Sequence, residues 1–193
     1  GQIKKLSLSL LSKKKKYTTV IGLKDGHKLV DANLVTENDE VLIGTAKGQG
    51  LRFNSNLIKN TGRTSLGVIG IKLSEGDSAV SLVKITENCD ILSITEYGFS
   101  KRTTESKYPA KGRATKGVQS HKISEKTGKV VAYIPIVNEN VLIGTKNGKI
   151  IRLYADTLPQ SNRCTTGNKA IKLDKEDLVA TMSIAPNTDL EDN

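Results

Sequence analysis

The sequence predicts an all-β, propeller-like disc. Three observations predict it: an internal repeat of fifty residues, short β-branched runs ending in glycine-containing turns, and no segment with a sustained 3.6-residue apolar period. Val41-Leu42-Ile43-Gly44-Thr45 returns as Val141-Leu142-Ile143-Gly144-Thr145, with Ile91-Leu92-Ser93-Ile94-Thr95 midway between them. The register holds at Gly48, Gly98 and Gly148, at Arg52, Arg102 and Arg152, and at Arg63, Arg113 and Arg163. It holds again at Gly67, Gly117 and Gly167, and at Lys72, Lys122 and Lys172. An incomplete earlier copy opens the chain: Gly1-Gln2-Ile3-Lys4-Lys5 matches the stretch from Gly48 to Arg52, and Ile21-Gly22-Leu23-Lys24 matches Ile69-Gly70-Ile71-Lys72. The repeats occupy about 1–36, 37–86, 87–136 and 137–185, followed by an acidic tail at 186–193.

Each element follows from local chemistry. Residues 40–45 form a β-branched run that ends in the turn Ala46-Lys47-Gly48, and 49–53 continue as the second arm of a hairpin. Residues 54–65 are polar and read as a long connection. A third strand is expected at 67–73, then the turn Ser74-Glu75-Gly76-Asp77, then a fourth strand at 79–85. Four strands in about fifty residues is the size of one propeller blade, so about four four-stranded blades are expected. Helix content should be small. Tryptophan is absent, which disfavours WD40 and kelch blades. The first copy lacks a counterpart of the 41–45 strand, so the chain reads as part of a larger disc.

Composition narrows the function. The 193 residues carry 30 Lys+Arg against 20 Asp+Glu, a formal charge of +10. That excess points to a polyanionic partner, nucleic acid before an acidic membrane surface. No run approaches the roughly 18 apolar residues needed to span a bilayer, so no membrane partner is expected. Cys89 and Cys164 have no C-x-x-C spacing, and His27 and His121 stand without neighbouring ligands, so no metal is expected. Two unpartnered thiols suit a reducing cytosol. No phosphate-cradling glycine loop and no nucleophile elbow is present, and no catalytic residue is expected.

The cations carry the functional signal, because a radial array turns one position per repeat into a ring. Arg52, Arg102 and Arg152 fall late in each hairpin, and Lys101 reinforces one of them. Arg63, Arg113 and Arg163 fall in the connection before the third strand, with Lys111 and Lys116 close by. Lys4 and Lys5 hold the matching hairpin stretch of the first copy, and Lys13, Lys14, Lys15 and Lys16 crowd its connection. Arginine offers a planar fork to phosphate oxygens and lysine a point charge. A curved cationic rim can bend duplex DNA without reading its bases. The competing expectation is ion pairing within a blade: Lys72 with Glu75 or Asp77, and Lys172 with Glu176 or Asp177, with Lys122 likewise beside its turn. For Arg52, Arg102 and Arg152 phosphate contact and internal pairing stand level. Phe53, Phe99 and Tyr154 are too few for single-strand stacking.

The stretch Gly62-Arg63-Thr64-Ser65-Leu66-Gly67-Val68-Ile69-Gly70-Ile71-Lys72-Leu73, followed by Glu75-Gly76-Asp77, resembles a repeat of the DNA gyrase A subunit. Tyr97-Gly98-Phe99-Ser100-Lys101-Arg102-Thr103, then Gly112-Arg113 and Lys116-Gly117-Val118, resemble another. The resemblance covers nearly the whole chain and implies the C-terminal domain of a bacterial type IIA topoisomerase A subunit. It implies a β-pinwheel, usually of about six blades, that wraps double-stranded DNA on a basic perimeter. It also implies a place in an A2B2 complex, where an ATP-hydrolysing B subunit joins the rest of the A subunit, in the bacterial cytoplasm. ATP and Mg2+ then belong to other parts of the assembly, and no cofactor to this domain.

One departure bears on which paralogue is meant. Gyrase A subunits carry a box of the form Q-[RK]-R-G-G-[RK]-G. Lys111-Gly112-Arg113-Ala114-Thr115-Lys116-Gly117 keeps its third, sixth and seventh positions. The resemblance favours gyrase, with the box in a blade not included, and leaves topoisomerase IV as the alternative. A protein-binding propeller or a propeller enzyme with paired carboxylates would be the other classes.

Overall fold

The computed structural model describes residues 1–11 and 17–185, and among these residues it contains thirteen strands, four short 3-10 turns and no α-helix. β1 (Gln2–Ile3) belongs to the first repeat. The second holds β2 (Glu40–Thr45), β3 (Gln49–Asn54), β4 (Val68–Ile69) and β5 (Ala79–Lys84). The third holds β6 (Asp90–Thr95), β7 (Phe99–Thr104), β8 (Val118–Gln119) and β9 (Val130–Ile136). The fourth holds β10 (Asn140–Thr145), β11 (Ile150–Tyr154), β12 (Asn168–Lys169) and β13 (Val179–Ala185).

The hairpins form for a reason repeated in each copy. Gly48, Gly98 and Gly148 sit at φ +80°, +79° and +84°, the left-handed position of a turn with a glycine bulge. Thr45, Thr95 and Thr145 close the loop: their hydroxyl oxygens accept from the amides of Gln49 (3.1 Å), Phe99 (3.2 Å) and Lys149 (3.2 Å). A 3-10 turn then follows at Ser55–Leu57, Glu105–Lys107 and Ala155–Thr157. Its first amide returns to the start of its own repeat, at the carbonyls of Asp39, Cys89 and Glu139.

A repeat and a sheet are different units. The fourth strand of each repeat lies beside the first, but the third crosses to the preceding repeat. The sheet orders are β5-β2-β3-β8, β9-β6-β7-β12, β13-β10-β11 and β1-β4, all antiparallel. The expected third strand at 67–73 is therefore a two-residue strand donated backwards. Val68 faces Ile3, Val118 faces Gly50 and Asn168 faces Ser100. Among the described residues the blades are two sheets of four strands, one of three and one of two. A glycine precedes each donated strand. Gly67, Gly117 and Gly167 have φ of +88°, +76° and +67°, and a Cβ on any of them would collide with the carbonyl oxygen of Ile3, Gly50 or Ser100. Only glycine lets the two backbones approach so closely.

The core lies between sheets. Leu42, Val83, Ile91 and Tyr133 join the second and third repeats, and Leu92, Ile94, Val141, Ile143 and Met182 join the third and fourth. β9 packs against β5 on one side and β13 on the other, which makes these the inner strands and leaves β8 and β12 outermost. Tyr133 is buried at the first of these contacts. Its amide donates to Ser81 Oγ (2.9 Å) and its hydroxyl to the Thr45 carbonyl (3.2 Å). Gly44 leaves room for its ring, since any Cβ there would overlap it. In the first repeat, residues 29–35 stand fifty before 79–85 but pair with no strand among the described residues, and Leu29, Val30 and Leu34 are exposed. Asp31 Oδ2 and Asn33 Nδ2 instead bind the amide and carbonyl of Leu82 on β5.

Candidate nucleic-acid interface

The structure divides the in-phase cations into inward and outward sets. Arg52 pairs with Glu40 across β2 and β3 and also donates to the Glu105 carbonyl (2.9 Å) of the next repeat. Arg102 repeats this with Asp90 (3.7 Å) and the Leu158 carbonyl (2.7 Å). Lys5, in the same column, donates to the Ser55 carbonyl (2.9 Å). These three latch one blade to the 3-10 turn of the next. Internal pairing thus accounts for Arg52 and Arg102. Arg152 differs: Asn140 replaces the acid, and the exposed guanidinium makes no ion pair or side-chain hydrogen bond among the described residues.

Lys101 points inward. It is fully buried, and its ammonium donates to the carbonyls of Asn162 (2.7 Å) and Arg163 and to Thr165 Oγ1 (3.4 Å). Burial, with repulsion from Arg163 added, pulls its pKa down to about 8 although Cys164 opposes the shift. Lys4 occupies the same column and donates to the carbonyls of Val20 (2.8 Å) and Arg63.

The outward set lies on the loops at 61–67, 111–117 and 161–167, which contain no acidic residue and lead into the donated strands. Arg63 has no side-chain partner among the described residues. Arg113 donates to the carbonyls of Leu57 (3.1 Å) and Ile69 (3.1 Å), and Arg163 to that of Gln119 (2.9 Å). Ile69 and Gln119 end β4 and β8, so Arg113 and Arg163 each rest on the preceding loop's strand. A guanidinium has five N–H donors, so these two retain donors for an outside acceptor. Lys111 and Lys116 are exposed on the middle loop. Lys13, Lys14, Lys15 and Lys16, like the acidic tail at 186–193, lie outside the described residues.

The expected pairs of Lys72, Lys122 and Lys172 with turn acids do not form. Asp77 Oδ1 accepts from the amides of Lys47 and Ser78 (both 2.8 Å), and Asp177 Oδ1 from those of Asn147 (3.1 Å) and Leu178 (2.8 Å). These acids brace the neighbouring hairpin turn. Among the described residues the ion pairs are Arg52–Glu40, Lys84–Asp39, Arg102–Asp90 and Lys149–Asp174.

Two groups stand outside the sequence expectations. Lys107 lines a shallow hollow with Thr104, Gln160, Ser161 and Asn162, beside the 161–167 loop; the column signal misses it because Leu57 and Thr157 stand at its counterparts. His121 is buried between blades, with Nε2 donating to the Thr166 carbonyl (2.9 Å) and Nδ1 accepting from Ser93 Oγ (2.9 Å). Burial, with Lys101 nearby, lowers its pKa to about 4, so it is neutral. Among the described residues no group of three or more His, Cys, Asp or Glu could hold a metal.

Donated strands, inter-blade cores and acid-free cationic loops at the outer strands define a β-pinwheel of the type IIA topoisomerase kind. The chain belongs to the family described as DNA gyrase C-terminal domain, beta-propeller, which matches residues 1–36, 39–86, 90–136 and 139–186. It is 35% identical to the DNA gyrase A subunit of Salmonella typhimurium over 75 residues, 38% of this chain and 8% of that protein. It is 47% identical to the DNA gyrase A subunit of Ureaplasma parvum over 53 residues, 28% of this chain and 6% of that protein. A solved DNA gyrase A C-terminal domain superposes with a TM-score of 0.81 at 30% identity, over 86% of this chain and 57% of that one. The C-terminal domain of a DNA topoisomerase IV superposes with a TM-score of 0.86 at 24% identity, over 95% of this chain and 58% of that one. The chain thus spans over half of these solved domains and less than a tenth of the curated gyrase proteins.

Proposed function

We propose that this chain is a non-catalytic module that binds and bends duplex DNA on its outer edge, within a gyrase A-type subunit whose partner B subunit hydrolyses ATP to drive supercoiling. One observation carries the reading: Arg63, Arg113 and Arg163 recur on acid-free loops at the outermost strands, each with donors to spare. Phosphate contacts at recurrent positions favour a curved path, and bending a short site by about 40–90° costs on the order of 1–6 kcal/mol, which many such contacts offset. Neither base reading nor a bound metal is required.

The test is binding of this chain to linear duplexes of unrelated sequence across a salt series. With roughly 6–10 phosphate contacts, affinity should fall by about 10³–10⁵ between 50 and 200 mM salt. Salt-insensitive binding, or none at low salt, would reject the reading. The incomplete Q-[RK]-R-G-G-[RK]-G pattern at residues 111–117 supports a second reading, in which the parent is a topoisomerase IV that binds a transported DNA segment. Supercoiling by the whole assembly favours the first, and decatenation without supercoiling the second.

A further inference from the structure

Among the described residues, Lys101 is the one lysine or arginine with no exposed surface. Its hydrogen-bond partners are two carbonyls and a hydroxyl, and none is a carboxylate. The charged and titratable groups around it are Arg163 and Cys164 on the 161–167 loop and the neutral His121 beyond β8. A buried ammonium without a counter-charge is costly, and carbonyl dipoles offset only part of that cost. Stability alone gives no reason for it, since Leu51 and Ile151 occupy the same column.

The position of the charge is the informative part. Lys101 grips the backbone of the loop arginine itself, and Lys4 does the same two junctions away at Arg63. Where the column holds Leu51, the loop is held by other means: the Arg113 side chain on Leu57 and Ile69, and the Ala114 amide on the Gly70 carbonyl (2.6 Å). Lysine in this column therefore goes with a loop arginine whose own side chain is less engaged.

We propose that Lys101 contributes to polyanion recognition from beneath the surface: it clamps the Arg163 loop, and its unneutralised charge gains a counter-charge when a backbone phosphate docks there. This rests on the DNA-binding reading above and names the residue that responds to the phosphate. The consequence is proton linkage. The free protein holds this lysine at a pKa of about 8, and a nearby phosphate moves it back toward the ordinary lysine range. At pH 7 the group is protonated with or without DNA. Above pH 8 the free protein has released the proton, and binding must take it up again. Affinity therefore falls as pH rises, by a factor of ten for each unit of pKa gained on binding.

Binding of this chain to a fluorescent duplex would be measured from pH 7 to 9 at fixed ionic strength. Calorimetry at pH 8.5, in two buffers of different ionisation enthalpy, would count the protons. Affinity should fall about 2- to 10-fold over that range, with uptake of a fraction of a proton. Cys164→Ser should keep both effects, and Lys101→Met should lose both. Absence of proton uptake in the unaltered chain, or equal uptake in Lys101→Met, would overturn the proposal. Should Lys101→Met not fold, a side-chain NMR titration of Lys101 with and without duplex decides: an unmoved pKa overturns it. Binding that is strong but flat with pH removes this proposal alone. No binding at pH 7 and low salt removes the DNA-binding reading and this proposal with it.

Discussion

Arg52 and Glu40 meet diagonally across one face of a hairpin. Arg52 stands opposite Leu42 and Glu40 opposite Asn54, so the ion pair bridges adjacent cross-strand rows. The same diagonal joins Arg102 and Asp90. In the last hairpin Asn140 and Arg152 hold these places without pairing. One column thus performs two tasks. Arg52→Ala should lower stability by about 1–3 kcal/mol, because it strands a half-buried carboxylate and the Glu105 carbonyl together. Arg152→Ala should stay within about 0.5 kcal/mol of the parent. Urea midpoints with unchanged slopes would check both.

The glycine ahead of each donated strand invites a graded series. Gly117→Ala should cost about 2 kcal/mol or more, since it combines a left-handed φ with a collision against the Gly50 carbonyl. Gly148→Ala has the left-handed φ of +84° but open space around it, so it should cost about 1 kcal/mol. Gly112→Ala meets neither obstacle and should be nearly neutral. Hydrogen exchange at the Ser120 amide, which donates to the Gly48 carbonyl (2.7 Å), should accelerate in the first variant alone.

His121 makes stability depend on pH in a defined window. Its folded pKa of about 4 lies below the unfolded value, so the unfolded chain binds the extra proton between about pH 4 and 6.5. Its contribution is complete above pH 6.5 and is lost as pH falls toward 4. From pH 7 to 5, before most carboxylates titrate, the loss should reach about 2 kcal/mol. His121→Gln should show a flatter profile over that range, whatever its stability at pH 7.

Charge removal should separate rim from latch. Replacing Arg63, Arg113 and Arg163 by glutamine should reduce the slope of log affinity against log salt by about 0.9 for each phosphate no longer engaged. Replacing Arg52 and Arg102 should leave that slope unchanged while lowering the melting temperature. Equal slopes in the two sets would dissolve the distinction.

The repeat made the fold legible because each copy carries the same turn glycines, closing threonine and β-branched run. The sheet assignment was less so, since the spacing of Val68, Val118 and Asn168 is the same whether they pair at home or one repeat back. For the cations the difficulty is that a column fixes sequence phase and not direction. Arg52 and Arg63 recur equally well, yet one guanidinium is taken up by Glu40 and the Glu105 carbonyl and the other is free of side-chain partners among the described residues. Glu40 and Asp90 recur fifty residues apart with Asn140 next in phase, and that acid column was the available sign of an inward arginine. For Lys101 no such sign exists, because its partners are backbone carbonyls of any residue type.

Backward donation of strands also imposes a schedule on synthesis. When the β2–β3 hairpin leaves the ribosome, the outer edge of β3 has no neighbour, and none arrives until Val118 and Gln119 emerge with the following repeat. Each sheet is completed one repeat late, and for that interval a bare edge stands beside hairpins of nearly its own sequence. Fidelity of assembly then turns on each donor passing over the open edge of its own repeat, as β4 passes over β3 to reach β1.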